Sequence, residues 1–207
     1  MWHQHRIEDV ATPQAYAKDP QLVQEFYNQR RKNILATEIL PNHAHLALAE
    51  LEKNYPGTMT IITQNIDDLH ERAGSKNVIH MHGELLKIRC DRCDQIQFNQ
   101  DPIKHPKTCA QCKKGNMRPH IVWFGEMPLR MPEIQSILST SDLFVSIGTS
   151  AQVYPAALFV ELARHAHKVE INLESTVRSQ QFHRQIRGKA SIEVPLFVQE
   201  LLRVKTE

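Results

Sequence analysis

An α/β fold with a parallel sheet, interrupted by a small cysteine-paired ribbon, is predicted by three features of this 207-residue sequence. Apolar runs of strand length alternate with helix-length segments through the second half, the pattern of a parallel sheet covered by helices on both faces. Those runs end in polar or glycine-containing groups, "TQNID", "GTS" and "NLE", at the carboxyl ends where such sheets place ligands. All four cysteines fall in two Cys-x-x-Cys pairs with fifteen residues between them.

The elements follow in order. From Pro13 to Tyr55 the period is helical: "DPQLVQEFYNQRRKNIL" sets Leu22, Val23, Phe26 and Tyr27 on one side, and "PNHAHLALAELEKNY" opens on Pro41 and repeats Leu46, Leu48 and Leu51, so two helices are expected. "GTMTIITQNID" reads as a strand carrying Gln64, Asn65 and Asp67 at its carboxyl end. A short helix near "DLHERAG", a strand at "NVIHMHG" and the cysteine ribbon come next. After the ribbon, "PHIVWFGEMP" reads as a buried strand running into a turn and "RMPEIQSILSTS" as a helix. "DLFVSIGTS" is a strand, "PAALFVELARHA" a helix, "KVEINLE" a strand and "VPLFVQELLRV" the last helix. The predicted organisation is a helical segment over 1–55, a sheet domain in two parts over 56–83 and 119–207, and the ribbon over 84–118.

Composition narrows the function. The formal net charge of +2 and scattered basic residues speak against nucleic-acid or membrane partners, as does the single aromatic, Phe98, between the cysteine pairs. The N-terminus lacks the apolar core of a secretory signal and no stretch has the length of a membrane span, so a cytoplasmic, monomeric protein is expected. In a reducing compartment disulfides are disfavoured. The spacing of Cys90, Cys93, Cys109 and Cys112 instead matches one tetrahedral zinc bound by four thiolates, a closed site that stabilises folding and leaves no position for reacting water. His80 and His82, just upstream, are then not needed as metal ligands.

Taken together and in order, "TQNIDDLHERAG", "HMHGEL", the paired Cys-x-x-Cys, "RPHIVWFGE", "GTSAQVYPAA" and "INLE" make the chain resemble a sirtuin, over residues 2 to about 202. The resemblance is narrower still to bacterial lysine deacylases related to those that remove acidic acyl groups. It implies a Rossmann-like domain for NAD and a small domain of zinc ribbon and helices, with an acyl-lysine peptide in the cleft between them. The implied reaction transfers the acyl group from lysine to the ADP-ribose part of NAD with loss of nicotinamide. By the same resemblance His82 is the general base, neutral near physiological pH, while His80 is structural. Gln64, Asn65, Ile66 and Asp67 surround the nicotinamide ribose. Gly148, Thr149 and Ser150 form a dinucleotide loop, Asn172, Leu173 and Glu174 meet the adenosine ribose, and Ala190 falls near the adenine. Val122, Trp123, Phe124, Gly125 and Glu126 form the edge that pairs with the substrate backbone. Tyr27 and Arg30, three apart on a helix, match the pair that holds the distal carboxylate of a succinyl or malonyl group. Desuccinylation is therefore favoured over simple deacetylation.

One part of the pattern is missing. Sirtuins begin with a strand and a Gly-Ala-Gly loop, whereas the seven glycines here, at 57, 74, 83, 115, 125, 148 and 188, form no G-x-G. The expectation is that the first strand and its Gly-rich loop precede Met1-Trp2 in a longer natural protein. The alternative function is a truncated, catalytically impaired sirtuin that acts only as an acyl-lysine peptide or zinc-ribbon binding module.

Overall fold

The computed structural model describes residues 6–150 and 152–203; the junction expected at Met1-Trp2 and Ala151 of the "GTSAQVYPAA" motif lie outside them. The chain divides into two compact units. The first comprises Met1–Leu40, Ile62–Asp68 and Ile79–Leu129, the second Pro41–Ile61, Leu69–Val78 and Arg130–Glu207.

In the first unit, helices α1 (Ile7–Val10), α2 (Pro13–Lys18) and α3 (Pro20–Ile34) precede the sheet elements. The helical period before Pro41 therefore contains a break the sequence reading did not separate. Asp19 precedes a proline, which disfavours the α conformation, and its carboxylate accepts the Leu22 N–H at 2.9 Å, so it starts a new helix with Pro20 at the first position. Val10, Ala15, Val23, Phe26 and Tyr27 from these helices pack with Leu85, Ile121 and Trp123 in one core. A second core, Ile88, Cys90, Ile103, Cys109 and Met117, lies within the ribbon.

The ribbon's long strand β3 (Gly83–Cys90) pairs antiparallel with β4 (Ile96–Phe98) on one side and β5 (Met117–Ile121) on the other. β5 is buried at all five positions. It ends at Ile121, so the expected strand through "VWF" stops short: Phe124 to Glu126 turn instead. Trp123 is the reason, because its N–H donates to the Glu126 carboxylate at 2.8 Å and its carbonyl accepts the Glu126 N–H at 2.9 Å.

The short strands β1 (Ile61–Thr63) and β2 (Val78–His80) form a two-stranded sheet. α4 (His43–Asn54) starts with a reciprocal cap in which Asn42 accepts from the Ala44 and His45 N–H groups and His45 Nδ1 accepts the Asn42 N–H. α5 (Leu69–Ala73) follows β1, and α6 (Met131–Thr140) opens the remainder of the second unit.

There β6 (Leu143–Ile147), β7 (His167–Asn172) and β8 (Arg184–Arg187) form a parallel sheet in that order. The fold class is thus the predicted one, and β8, in "HRQIRG", is a strand the sequence reading missed; its two half-buried and two exposed residues carry no apolar run. The helix expected over "PAALFVELARHA" is shorter, a 3₁₀ turn at Ala156–Leu158 followed by α7 (Phe159–Leu162). Neither piece has a side-chain cap at its start. α8 (Ala190–Arg203) packs Val194, Phe197 and Val198 with Ala44 and Leu51 of α4 and Val169 and Ile171 of β7. Among the described residues no helix is long and apolar enough to cross a membrane.

Candidate active site

The first unit gathers three groups of the expected site residues. His82 sits in the turn between β2 and β3, not on a strand, so it shares no strand face with His80. Hydrogen bonds hold the turn on each side: Met81 N–H to Thr63 O at 3.1 Å, Leu129 N–H to Met81 O at 2.9 Å and Val122 N–H to His82 O at 2.9 Å. Gly83 allows the sharp exit. Its φ is +84°, and a Cβ there would lie 2.0 Å from the His120 carbonyl oxygen. Gly83→Ala is accordingly expected to destabilise the protein by about 3 kcal/mol. Urea denaturation would check this, and an unchanged midpoint would contradict the close packing of this turn against β5.

The polar stretch after β1 comes back to the same turn. His82 Nδ1 lies 3.1 Å from the Gln64 carbonyl oxygen, and His80 Nδ1 lies 3.3 Å from that of Asn65. A carbonyl only accepts, so the proton of neutral His82 resides on Nδ1 and the Nε2 lone pair is left as the basic site. Half-burial drives the His82 pKa below its ordinary 6.5, outweighing the opposite pull of the Gln64 carbonyl. The Asn65 N–H donates to Thr63 Oγ1 at 3.0 Å, and the Leu85 N–H donates to the Ile66 carbonyl at 2.7 Å, with the Ile66 side chain packed on the helical core. Ile66 thus faces protein, while Gln64 and Asp67 are half-buried and Asn65 exposed.

The third group is Tyr27, Arg30 and the Val122–Glu126 stretch. Tyr27 and Trp123 are each only 2% exposed, and the Trp123 indole N–H donates to the Tyr27 oxygen at 3.0 Å. Burial pushes the Tyr27 phenol up to about 12. Arg30 lies 3.5 Å over the Phe26 ring, and its partial burial lowers its pKa from an ordinary 12.5. The Val122 and Phe124 N–H groups donate inward, to His82 O and to Ala11 O at 3.0 Å.

Glu126 faces inward as well. Its carboxylate accepts Arg118 Nη1 at 2.7 Å, Arg118 Nη2 at 3.0 Å and Arg89 Nη2 at 3.1 Å. Burial alone would raise the Glu126 pKa, but these bonds, the Trp123 N–H and the guanidinium charges hold it below the usual carboxylate value. Arg89 and Arg118 have no place in the sequence-based site. Both lie in the segment read as the cysteine ribbon, 84–118, whose cysteine spacing gives no sign of a partly buried ion pair.

In the second unit the loops after the three parallel strands converge. Gly148 N–H donates to Ile171 O and Gly188 N–H to Asn172 O, each at 3.0 Å, and the Asn172 side-chain amide donates to Thr149 O at 2.7 Å. The structure thereby brings together Gly148, Thr149 and Asn172, with Ala190 opening α8 just beyond. Ser150, Leu173 and Glu174 are exposed beside them. Gly148 has φ +63° and nothing within 4 Å of a would-be Cβ, so a ligand can approach its backbone closely. The loop after β7 is anchored by Glu170, whose buried carboxylate takes the hydroxyls of Ser179 and Thr176 and the Arg187 guanidinium.

The four cysteine sulphurs lie within 4.8 Å of one another. Cys90 and Cys112 are 3.7 Å apart and Cys93 and Cys109 3.8 Å. A tetrahedral zinc with Zn–S bonds of about 2.3 Å requires S···S separations near 3.8 Å, so the four residues fit zinc. The two Cys-x-x-Cys turns are alike: each is followed by a residue at φ 55°, Asp94 and Lys113. Backbone N–H groups of Arg92 and Gly115 point at the Cys90 and Cys112 sulphurs, each at 3.4 Å.

The Sir2 family profile matches residues 1–155. An NAD-dependent protein deacylase of Vibrio cholerae is 57% identical over 205 residues, 98% of this chain and 83% of that protein. Among solved structures, a mutant Sir2 homologue in complex with ADP ribose has a TM-score of 0.90 at 36% identity, covering 100% of this chain and 84% of that one. A Sir2 homologue in complex with NAD has a TM-score of 0.88 at 37% identity, covering 100% and 81%. With more than half its length matched by the profile, and with a relative 57% identical over 98% of it, this chain belongs to the Sir2 family.

Proposed function

We propose that this protein removes acyl groups from lysine side chains of proteins in an NAD-dependent reaction that yields free lysine, nicotinamide and O-acyl-ADP-ribose. The observation that carries the reading is the His82 tautomer: Nδ1 is committed to the Gln64 carbonyl, which leaves Nε2 as a base in a turn held on both sides. The named deacylase at 57% identity supports the same reaction class.

NAD would supply the ribose whose oxygen ends up carrying the acyl group, with nicotinamide as leaving group and one water consumed. The chain's own residues bind, orient and move one proton. Gln64, Asn65 and Asp67 orient the nicotinamide ribose, with Ile66 seating the segment on the helical core, and Gly148, Thr149, Ser150, Asn172, Leu173, Glu174 and Ala190 hold the rest of the dinucleotide. His82 takes the proton of a ribose hydroxyl on Nε2. The Val122–Glu126 stretch receives the substrate backbone, and Tyr27 with Arg30 receives the far end of the acyl chain. A donor hydroxyl beside a guanidinium suits a carboxylate, so succinyl and malonyl groups are preferred to acetyl. The four cysteines hold one structural zinc, and a reducing cytoplasm, where their thiolates persist, is the setting that fits a monomeric enzyme of this kind.

The test is mass-spectrometric turnover of a succinyl-lysine peptide with and without NAD; turnover that does not need NAD sinks the reading. A pH series adds a second check. A base must be unprotonated, so with a pKa below 6.5 kcat/KM is flat above neutrality and falls only as pH drops below about 6.5. Linkage has the same sign. The folded state favours neutral His82, so stability also falls as the unfolded chain protonates below 6.5. A loss of kcat/KM centred above pH 7 would exclude His82 as the group observed.

A further inference from the structure

The Tyr27 hydroxyl is set by its surroundings in a way that bears on which acyl group fits. A phenol has one proton to give and lone pairs to receive. Trp123 fills the receiving side through its indole N–H at 3.0 Å. Among the described residues no acceptor takes the Tyr27 proton, although the side chain is only 2% exposed. A buried donor without an acceptor costs stability, and the cost is removed by a ligand that brings an oxygen lone pair. The phenol is also held neutral, its pKa pushed up to about 12, so it remains a donor throughout the physiological range.

The indole cannot turn away from this task. The Arg118 guanidinium lies 3.4 Å from the Trp123 ring centroid, stacked on it as a cation on a π face. Glu126 grips both ends of the arrangement, accepting two bonds from Arg118 and the Trp123 backbone N–H. Arg89 adds a further bond to the same carboxylate at 3.1 Å.

We propose that Trp123 is a specificity-determining positioning residue: its N–H fixes the Tyr27 hydroxyl as a donor toward an acyl group ending in a carboxylate, and the Arg118–Glu126 clamp holds the indole in register. The inference rests on the reading of Tyr27 as an acyl contact and deepens it. If Trp123 gave only apolar packing, the Tyr27 proton could turn toward the indole side and the phenol would lose its bias as a donor. The apolar tail of an acetyl group gains nothing from that donor, so the effect is one of selectivity.

Calorimetric titration of the zinc-loaded full chain tests this with succinyl-lysine and acetyl-lysine peptides of one sequence. Trp123→Phe keeps a ring under Arg118 and removes only the N–H. It is expected to lower the succinyl-to-acetyl affinity ratio about tenfold, the size of one hydrogen bond to a charged group. In a Tyr27→Phe background the same change is expected to move the ratio by less than about twofold, because the hydroxyl it acts through is gone. A purely structural role would weaken both peptides and leave the ratio alone. Should Trp123→Phe fail to fold, Glu126→Gln loosens the clamp with little change of shape and is expected to lower the ratio two- to threefold. An unchanged ratio in the folded variant, with Tyr27→Phe lowering it, overturns the proposal and leaves Tyr27 as an acyl contact. If Tyr27→Phe also leaves the ratio unchanged, or neither peptide binds the unaltered protein, the reading of Tyr27 falls and takes the proposal with it.

Discussion

Replacing Cys109 with serine, or stripping zinc with a strong chelator, is expected to unfold the ribbon from Cys90 to Met117 and to lower the thermal midpoint of the first unit. Cys90 and Cys109 are both in the ribbon's small core with Ile88, Ile103 and Met117. Five buried side chains of that kind are too few to hold an excursion of this length, whereas structural zinc contributes on the order of 10–16 kcal/mol in comparable small sites. That figure is as large as the whole stability of a typical domain. Loss should propagate through β3, because Cys90 ends the strand that Gly83 begins and that strand carries Leu85 into the helical core. Elemental analysis should find about one zinc per chain in the natural protein and much less in the variant. Amide exchange should show β3 and β5 losing protection. Stoichiometric zinc in Cys109→Ser, with exchange unaltered, would exclude the four-thiolate site.

His82→Ala is expected to lower kcat/KM for acyl-lysine turnover by about 10²–10⁴-fold, the range of a single general base. Peptide affinity should be nearly unchanged, since in the proposed function the lost group acts only on a proton and the proposed Tyr27 and Val122–Glu126 contacts stay in place. His82→Asn is the informative companion. Its side-chain amide can still donate to the Gln64 carbonyl, which separates loss of the base from loss of the turn's hydrogen bond. Equal activity of the natural protein and both variants would show that some other group takes the proton. A lowered thermal midpoint shared by both variants would instead assign His82 to the turn's stability.

The sequence was most legible where chemistry and spacing coincide. Four cysteines at two short spacings specify their geometry almost unaided, because few arrangements let two Cys-x-x-Cys turns share one ion. The sheet class was legible too: "DLFVSIGTS" and "KVEINLE" are apolar runs with polar ends, and β6 and β7 occupy them in parallel. Strand β8 was not, since "RQIR" has one apolar residue and owes its pairing to β7. Local signals also missed the break at Asp19, where a single carboxylate cap and a proline outweigh a continuous helical period.

Within the site, residue types were set by the sequence and their states by tertiary contact. "HMHGEL" presents two histidines with equal claims by pattern alone. The turn at Met81-His82 and the carbonyls of Gln64 and Asn65 decide which nitrogen of each ring carries the proton. Glu126 belongs to a motif that reads as a substrate edge, yet two arginines from β3 and β5 draw its carboxylate inward. The Tyr27 oxygen accepts an N–H from a tryptophan ninety-six positions away, a partner no local pattern announces. The sequence by itself determined the clustering of the four cysteines and the polar ends of the parallel strands. Protonation, hydroxyl direction and the pairing of buried charges were decided by the tertiary structure, because each depends on neighbours distant in the chain whose approach no local period encodes.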